Sequence, residues 1–316
     1  IAGPQRSANV SLKIDAMSGS ASALSLPSVV LDVDASAEGN AVKAHVSTPV
    51  LANLAASTWE LPKIVAEVRL SGPMIPQKSV TLPIQAAVKA NLDKQSLAAE
   101  LSTKFDESTI GAKLAATKLQ PLNANFDIDI DRLNLDRYMR PAAEKSAGGD
   151  PPVDLGALKG RTVTGKVQIG ALQAQRVKLS NIKAEIRLAN GKLEVAPHSA
   201  NLYEGTLSGR LSADANGNQI ALKEEVKAVS INPLLRDLAD KDILEGKGDV
   251  TLEIAMSGPT VGAMKRAMNG SARLQLKDGA YKGINLAETF RKASTLGSKS
   301  GSQSADKTQR TDFSEM

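Results

Sequence analysis

The segment LPIQAAVKANL, Leu82 to Leu92, decides the fold class: Leu82, Ile84, Ala86, Val88, Ala90 and Leu92 fall at every second position over eleven residues. A period of two places them on one face of an extended strand ~35 Å long, with Gln85, Lys89 and Asn91 on the other. The same alternation runs outward in both directions. Val10, Leu12, Ile14 and Ala16 oppose Ser11, Lys13 and Asp15, Leu31 and Val33 oppose Asp32 and Asp34, and Ile64, Ala66, Val68 and Leu70 oppose Glu67, Arg69 and Ser71. Phe126, Ile128 and Ile130 alternate with Asp127, Asp129 and Asp131, carboxylates that must face water. Val163, Val167 and Ile169, then Ile182, Ala184, Ile186 and Leu188, then Leu207 and Leu211, Val250 to Met256, and Ala272, Leu274 and Leu276 continue the series.

Turn residues stand between these runs. Asn190-Gly191, Asn216-Gly217 and Asp278-Gly279 accept the positive φ of tight two-residue turns, so the strands are expected to form antiparallel meanders. Helices are few and short. Asn232 before Pro233 reads as an N-cap ahead of Leu234, Leu235 and Leu238, and a second helix runs from Thr260 through Met264 and Met268 to a stop at Gly270. A third starts at Asn285, with Glu288 at capping-box spacing and Leu286, Phe290 and Ala293 on its stripe, and a single turn follows Asn134. Pro141 to Pro152 (PAAEKSAGGDPP) is a linker by composition, and Ser294 to Arg310 has no periodic apolar face. The expected organisation is a β-segment over 1–140, a linker over 141–152, a second β-segment with short helices over 153–293, an unstructured stretch over 294–310 and the start of a continuation over 311–316.

Composition removes several function classes. The 316 residues suffice for a substantial core. A formal net charge of +5 and eight aromatics (four Phe, three Tyr, one Trp) supply neither the field nor the stacking platforms that nucleic acid requires. The absence of cysteine excludes disulfides, thiolate zinc and cysteine catalysis. Two histidines, His45 and His198, are too few for a three-histidine metal site. No stretch reaches the ~18 to 20 apolar residues of a membrane span, since even the uncharged run from Met17 to Leu31 is broken by serines. The chain opens at Ile1 without a basic n-region, so a signal or anchor is expected to lie outside it.

The remaining candidates for chemistry read better as structure. Asp127, Asp129, Asp131 and Asp136 lie at spacings near those of a glycosidase carboxylate pair, but the apolar residues alternate to the opposite face, so a solvated outer surface accounts for them. Asp214, Asn216 and Asn218 open like a calcium loop, yet the glycine stands at 217 and no glutamate follows at the twelfth position; a hairpin turn is the simpler reading. Gly246-Lys247-Gly248 reads as a bend and His45 as a solvated strand residue beside Lys43, while His198 follows Pro197 at an expected turn. Asn9-Val10-Ser11 and Asn269-Gly270-Ser271 match the glycosylation sequon, which occurs by chance. No catalytic residue, cofactor or metal is expected.

What needs a partner is the oily side of so many strands. It can be sealed in a sandwich, closed in a barrel, or left as the inner wall of a trough. The wall is rich in Ala, Val, Ile and Leu with little aromatic bulk, which suits a smooth groove for acyl chains as well as it suits an interlocked core.

The run FDIDIDRLNLDRYM, Phe126 to Met139, resembles a stretch found in the AsmA family of Gram-negative envelope proteins. Similar in the same way are LPKIVAEVRLSGPMIPQKSV (Leu61 to Val80), AAELSTKFDEST (Ala98 to Thr109), SANLYEGTLSGRLSADANG (Ser199 to Gly217), INPLLRDLADKDILEGKGDVTLEIAMSG (Ile231 to Gly258) and NGSARLQLKDGAYKGINLAETFRKA (Asn269 to Ala293). These are strand, turn and short-helix signatures rather than marks of a catalytic site. Glu224 departs from the pattern, falling where the alternation after Ile220 and Leu222 calls for an apolar side chain.

The resemblance implies an inner-membrane-anchored periplasmic protein with a long curled β-sheet, tied to outer-membrane biogenesis and phospholipid movement between the membranes. It also implies an N-terminal membrane helix absent from this chain and a continuation past Asp312-Phe313-Ser314. The expected fold is thus mostly β, a long twisted antiparallel sheet curled into an open groove with a few amphipathic helices. The expected lining is Ile64, Val68, Ile84, Val88, Ile128, Ile182, Ile186, Leu252, Ile254, Leu274 and Leu276, offered as a surface for phospholipid acyl chains. The alternative is a scaffold that assists assembly of outer-membrane proteins through exposed sheet edges.

Overall fold

The computed structural model describes residues 6–73, 75, 78–138 and 150–282, together with the backbone of 310–315. Among the described residues seventeen strands form one sheet. They are β1 (Arg6–Ile14), β2 (Ser18–Ser20), β3 (Ala23–Ala37), β4 (Asn40–Asn53), β5 (Thr58–Ser71), β6 (Ser79–Asn91), β7 (Ser96–Phe105), β8 (Ser108–Lys118) and β9 (Leu122–Asn134) in the first half. The second half holds β10 (Arg161–Ala174), β11 (Val177–Ala189), β12 (Lys192–Leu202), β13 (Gly205–Asp214), β14 (Gln219–Ser230), β15 (Leu244–Ser257), β16 (Asn269–Lys282) and β17 (Arg310–Glu315).

From β3 onward each strand pairs with the next, antiparallel, except at one seam. There β9 and β10 run parallel, in register from Leu122↔Arg161 to Asn134↔Gln173, so the two halves share a single ladder. β1 and β2 lie end to end along the free side of β3, and β17 ends the other side. No pairing among the described residues joins these two edges, so the sheet is open and not a barrel. A parallel pair obliges the chain to travel back the length of a strand before re-entering the sheet. Its return is tied down earlier than the linker composition implies. Pro152 bridges to Thr260, Val153 N–H donates to Pro259 O (2.9 Å), and Asn218 Nδ2 donates to Val153 O (2.9 Å).

The turns only partly follow the dipeptide signals. Asn190-Gly191 does form a two-residue turn with both φ positive, but so do Glu38-Gly39, Gln175-Arg176 and Tyr203-Glu204. Asn216-Gly217 sits in a four-residue loop between Asp214 and Gln219, with the positive φ at Asn218. Asp278-Gly279 is no turn at all: it is a β-bulge inside β16, two residues opposite the single Gly246 of β15. Such slips recur, and four prolines sit within them. The ladder skips at Pro27, Pro49, Pro62 and Pro197, where the missing N–H cannot bond across. Each bulge bends and twists its strand, which is how a long sheet curls.

Two short helices sit at opposite rims. Helix α1 (Ile231–Ala239) follows β14; its N-cap is Ser230 and not Asn232, whose Nδ2 instead donates to Asp242 Oδ1 (2.5 Å). Helix α2 (Val261–Arg266) starts where expected, with Thr260 Oγ1 accepting from Ala263 N–H (3.2 Å), but ends before Met268 because the chain enters β16 at Asn269. Asn134 caps a 3-10 turn over Leu135–Arg137. The expected helix at Asn285, the 294–309 stretch and most of the linker lie outside the described residues, and Arg310 opens β17. The core cluster of buried side chains is small: Leu202, Val229, Ile231 and Leu276, with Leu234 and Leu235 of α1 packed on it.

Candidate functional site

Register carries one apolar row after another straight across the sheet. Leu24, Ala52, Trp59, Ala90, Leu97 and Ala116 are successive cross-strand partners through β3 to β8. Val46, Ala66, Ile84, Thr103, Ile110 and Ile130 form a second such row through β4 to β9, Thr103 being its one polar member. Ile128 meets Val167 across the seam, Val167 meets Ala184, and Ile186 meets Val195. No second sheet packs on this face among the described residues. Ile64, Val68, Ile84, Val88, Ile128, Ile182, Ile186, Leu252 and Ile254 are all half-buried, neither sealed nor free. Leu274 is 58% exposed near the far edge. Leu276 departs from the expected lining: at 5% exposure it is sealed under α1 as part of the core cluster. Leu92, the last member of the opening segment, lies beyond β6 in a turn and is 58% exposed.

Near the rim that carries Trp59 the wall deepens into a cavity of about 780 Å³, lined by Leu24, Ala52, Trp59, Ala90, Leu97 and Ala116 among others. Small side chains keep the floor low there: Ala52 and Ala116 are buried, 6% and 5% exposed. At the seam the floor is an aromatic ring. Phe126 of β9 lies over its partner Gly165 of β10, where an added Cβ would stand 2.4 Å from the ring's Cζ. Glycine is required because the ring occupies the space a side chain would take.

A polar couple also interrupts the wall. His198 lies in β12, not in a turn, and its Nε2 is 2.9 and 3.0 Å from the Glu224 carboxylate oxygens on β14; its Nδ1 is 3.2 Å from Val195 O. The two side chains are 17% and 15% exposed. Glu224 therefore does occupy an apolar slot, between Gly209 and Leu252 in the ladder, and its partner is the histidine that sequence spacing alone placed at a turn.

The sequence profile of the AsmA family matches residues 5–316. The chain belongs to the AsmA family. No curated protein and no solved structure matches it. The AsmA family is a family of cell-envelope proteins, and no helix among the described residues is long and apolar enough to cross a membrane.

In this AsmA chain the aspartates have structural posts. Asp127 and Asp129 face water on the polar side, Asp127 opposite Lys113 and Lys166 in the ladder. Asp131 accepts from Thr109 N–H (2.7 Å), which with Arg132 holds its carboxyl below the usual range. Asp136 fastens the end of β9 to the β10–β11 turn, accepting from Gln173 Nε2 (3.0 Å), Arg176 N–H (2.8 Å) and Gln175 N–H. Those bonds, that of Gln173 first, also lower its pKa. His45 pairs with Asp32 (2.7 Å) on the solvated face. Asp214 accepts from Asn216 N–H (2.8 Å) as a turn does, and Gly246 (φ 117°) faces the bulge at Gly279. At the α1 rim Tyr203 Oη donates to Asp237 Oδ2 (2.6 Å), and burial with that neighbouring carboxylate pushes the phenol up to about 12.

Proposed function

We propose that the apolar wall is a passive conduit for phospholipid acyl chains, serving outer-membrane biogenesis by transfer between the inner and outer membranes of a Gram-negative envelope. The observation that carries this reading is the absence, among the described residues, of a second sheet over the rows that run from β3 to β15, α1 covering only the rim around Leu202, Val229 and Leu276. Acyl chains slide along the wall while headgroups stay in water, and no residue performs chemistry. Each methylene taken from water gains ~0.8 kcal/mol, enough to hold a lipid without polar recognition. Strands spaced ~4.8 Å apart over fifteen intervals make a ribbon ~70 Å long, sufficient for several lipids in file. The N-terminal membrane anchor typical of the family would supply the inner-membrane contact.

Mass spectrometry of an organic extract of the purified protein tests the reading. Phospholipid is expected at a stoichiometry that Ile186→Asp reduces; a folded protein that carries none, and takes none from vesicles, refutes it. A second reading, a scaffold for outer-membrane protein assembly, draws on one observation. Val10, Leu12 and Ile14 of edge strand β1 are 67%, 61% and 50% exposed beside an unpaired ladder. Cross-linking from β1 that captures a barrel protein would favour it.

A further inference from the structure

Smooth conduction of acyl chains does not account for a His–Glu couple set into the wall. His198 and Glu224 meet across β13, and they meet because Gly209 stands between them. A Cβ at Gly209 would lie 2.4 Å from Glu224 Oε2 and 2.3 Å from Lys223 O. The two strands thus leave room for the couple at the cost of a glycine in mid-strand.

Both ring nitrogens of His198 face acceptors, Val195 O on one side and the Glu224 carboxylate on the other. Neutral imidazole has a single N–H and can satisfy one of them; imidazolium satisfies both. With that proton the couple is net neutral and its bonds are complete. Without it a ring lone pair faces an oxygen and the charge of Glu224 is left uncompensated on an apolar surface. Among the described residues no other group on that face takes over. The packed neighbours β11, β13 and β15 present Ala184, Ile186, Leu207, Leu211, Leu252 and Ile254 to the couple. The charged residues nearest the couple on these strands and on β14, namely Lys183, Glu185, Arg187, Arg210, Lys223, Glu225 and Glu253, alternate to the opposite face. An unpaired carboxylate in such a place keeps its water, and a methylene chain cannot displace that water.

We propose that His198–Glu224 is a proton-controlled checkpoint on the lipid path: the protonated couple lets acyl chains pass over β12 to β14, and the deprotonated couple stops them. This rests on the conduit reading and adds its regulation. The experiment uses the full chain and vesicles of phosphatidylethanolamine and phosphatidylglycerol doped with a phosphatidylcholine that carries a diazirine at the end of one acyl chain. Samples are irradiated over a pH series from about 5.5 to about 8.5, and adducts are mapped by peptide mass spectrometry.

Adducts at Val195, Leu211 and Leu222 are expected to fall about tenfold or more as the pH rises, the order expected when an unpaired charge replaces a neutral couple. Adducts at Trp59 and Ala90, far along the wall, hold constant. Glu224→Gln keeps the flanking adducts high at every pH, and His198→Gln keeps them low. Flanking adducts that ignore pH in the unmodified protein, or that respond identically in Glu224→Gln, overturn the checkpoint while Trp59 and Ala90 still report lipid. Absence of adducts at all five positions at every pH removes the conduit itself, and the checkpoint with it.

Discussion

Replacing Val88 and Leu276 by aspartate, one at a time, distinguishes a wall from a core. Both are apolar strand residues, but Val88 is half-buried with no layer above it among the described residues, whereas Leu276 is 5% exposed amid Leu202, Val229 and Ile231. Leu276→Asp forfeits the burial of a leucine, ~1.5–3 kcal/mol, and leaves a charge without a partner, so a cost of ~4–5 kcal/mol is expected. That is a large share of the ~5–15 kcal/mol by which domains are stable. Val88→Asp turns its carboxylate into open space, where it stays hydrated, and the expected cost is ~1 kcal/mol or less. Its effect on lipid is larger. A chain crossing that point loses contact for two or three methylenes, ~2 kcal/mol, or about thirtyfold in occupancy. Urea unfolding followed through the single tryptophan, Trp59, measures the first quantity, and extracted phospholipid per protein measures the second. If Val88→Asp unfolds the protein as readily as Leu276→Asp, the wall is an interior and the reasoning fails; if the folded variant keeps its lipid, the wall is not the path.

Gly165→Leu is expected to evict the Phe126 ring and destabilise the seam by ~1–3 kcal/mol, seen as a lowered urea midpoint without loss of strand circular dichroism. Acid should loosen α1 first. Lys282, Asn232 and Arg236 hold the Asp242 carboxyl well below its usual value, so its contribution is complete above the unfolded-state pKa of ~3.9 and is lost as pH falls through the lower folded value. Hydrogen-exchange protection of 231–239 should therefore drop below about pH 4, and Asp242→Asn should bring that loss to neutral pH. Asp136→Asn should raise exchange at 173–176 while β12 and β13 stay protected, because its bonds reach only the β10–β11 turn.

The strand content was legible because a period of two survives any strand order: Ile84, Ile128 and Ile186 fall on the apolar side of their strands whatever their neighbours. The open curl came with the family resemblance, since alternation alone fits a sandwich or a barrel as well. The parallel seam was not legible, since alternation carries no information on which strand lies beside which. Asp278-Gly279 misled because a bulge and a hairpin demand the same left-handed backbone. Tyr203-Glu204 gave no signal for the converse reason, a turn imposed by the flanking ladder on residues with little preference for it. The core position of Leu276 follows from α1 folding back, a tertiary event. Of the polar couple, Glu224 was visible as a break in its row, while His198 was hidden by the slip at Pro197, which moves its side chain onto the apolar face. The prolines themselves were a readable signal: four in strand-like sequence mark where the ladder opens.

The β9–β10 seam has a bearing on how such a molecule sets its reach. Strands stack along the hydrogen-bond direction, so every additional hairpin lengthens the ribbon by ~10 Å and leaves its cross-section unchanged. A side-by-side parallel splice joins two runs of hairpins without a gap in the ladder, provided the connecting segment is long enough to come back. Span then becomes a matter of how many repeats are threaded in series, and a protein of this design is a ruler whose graduations are pairs of strands.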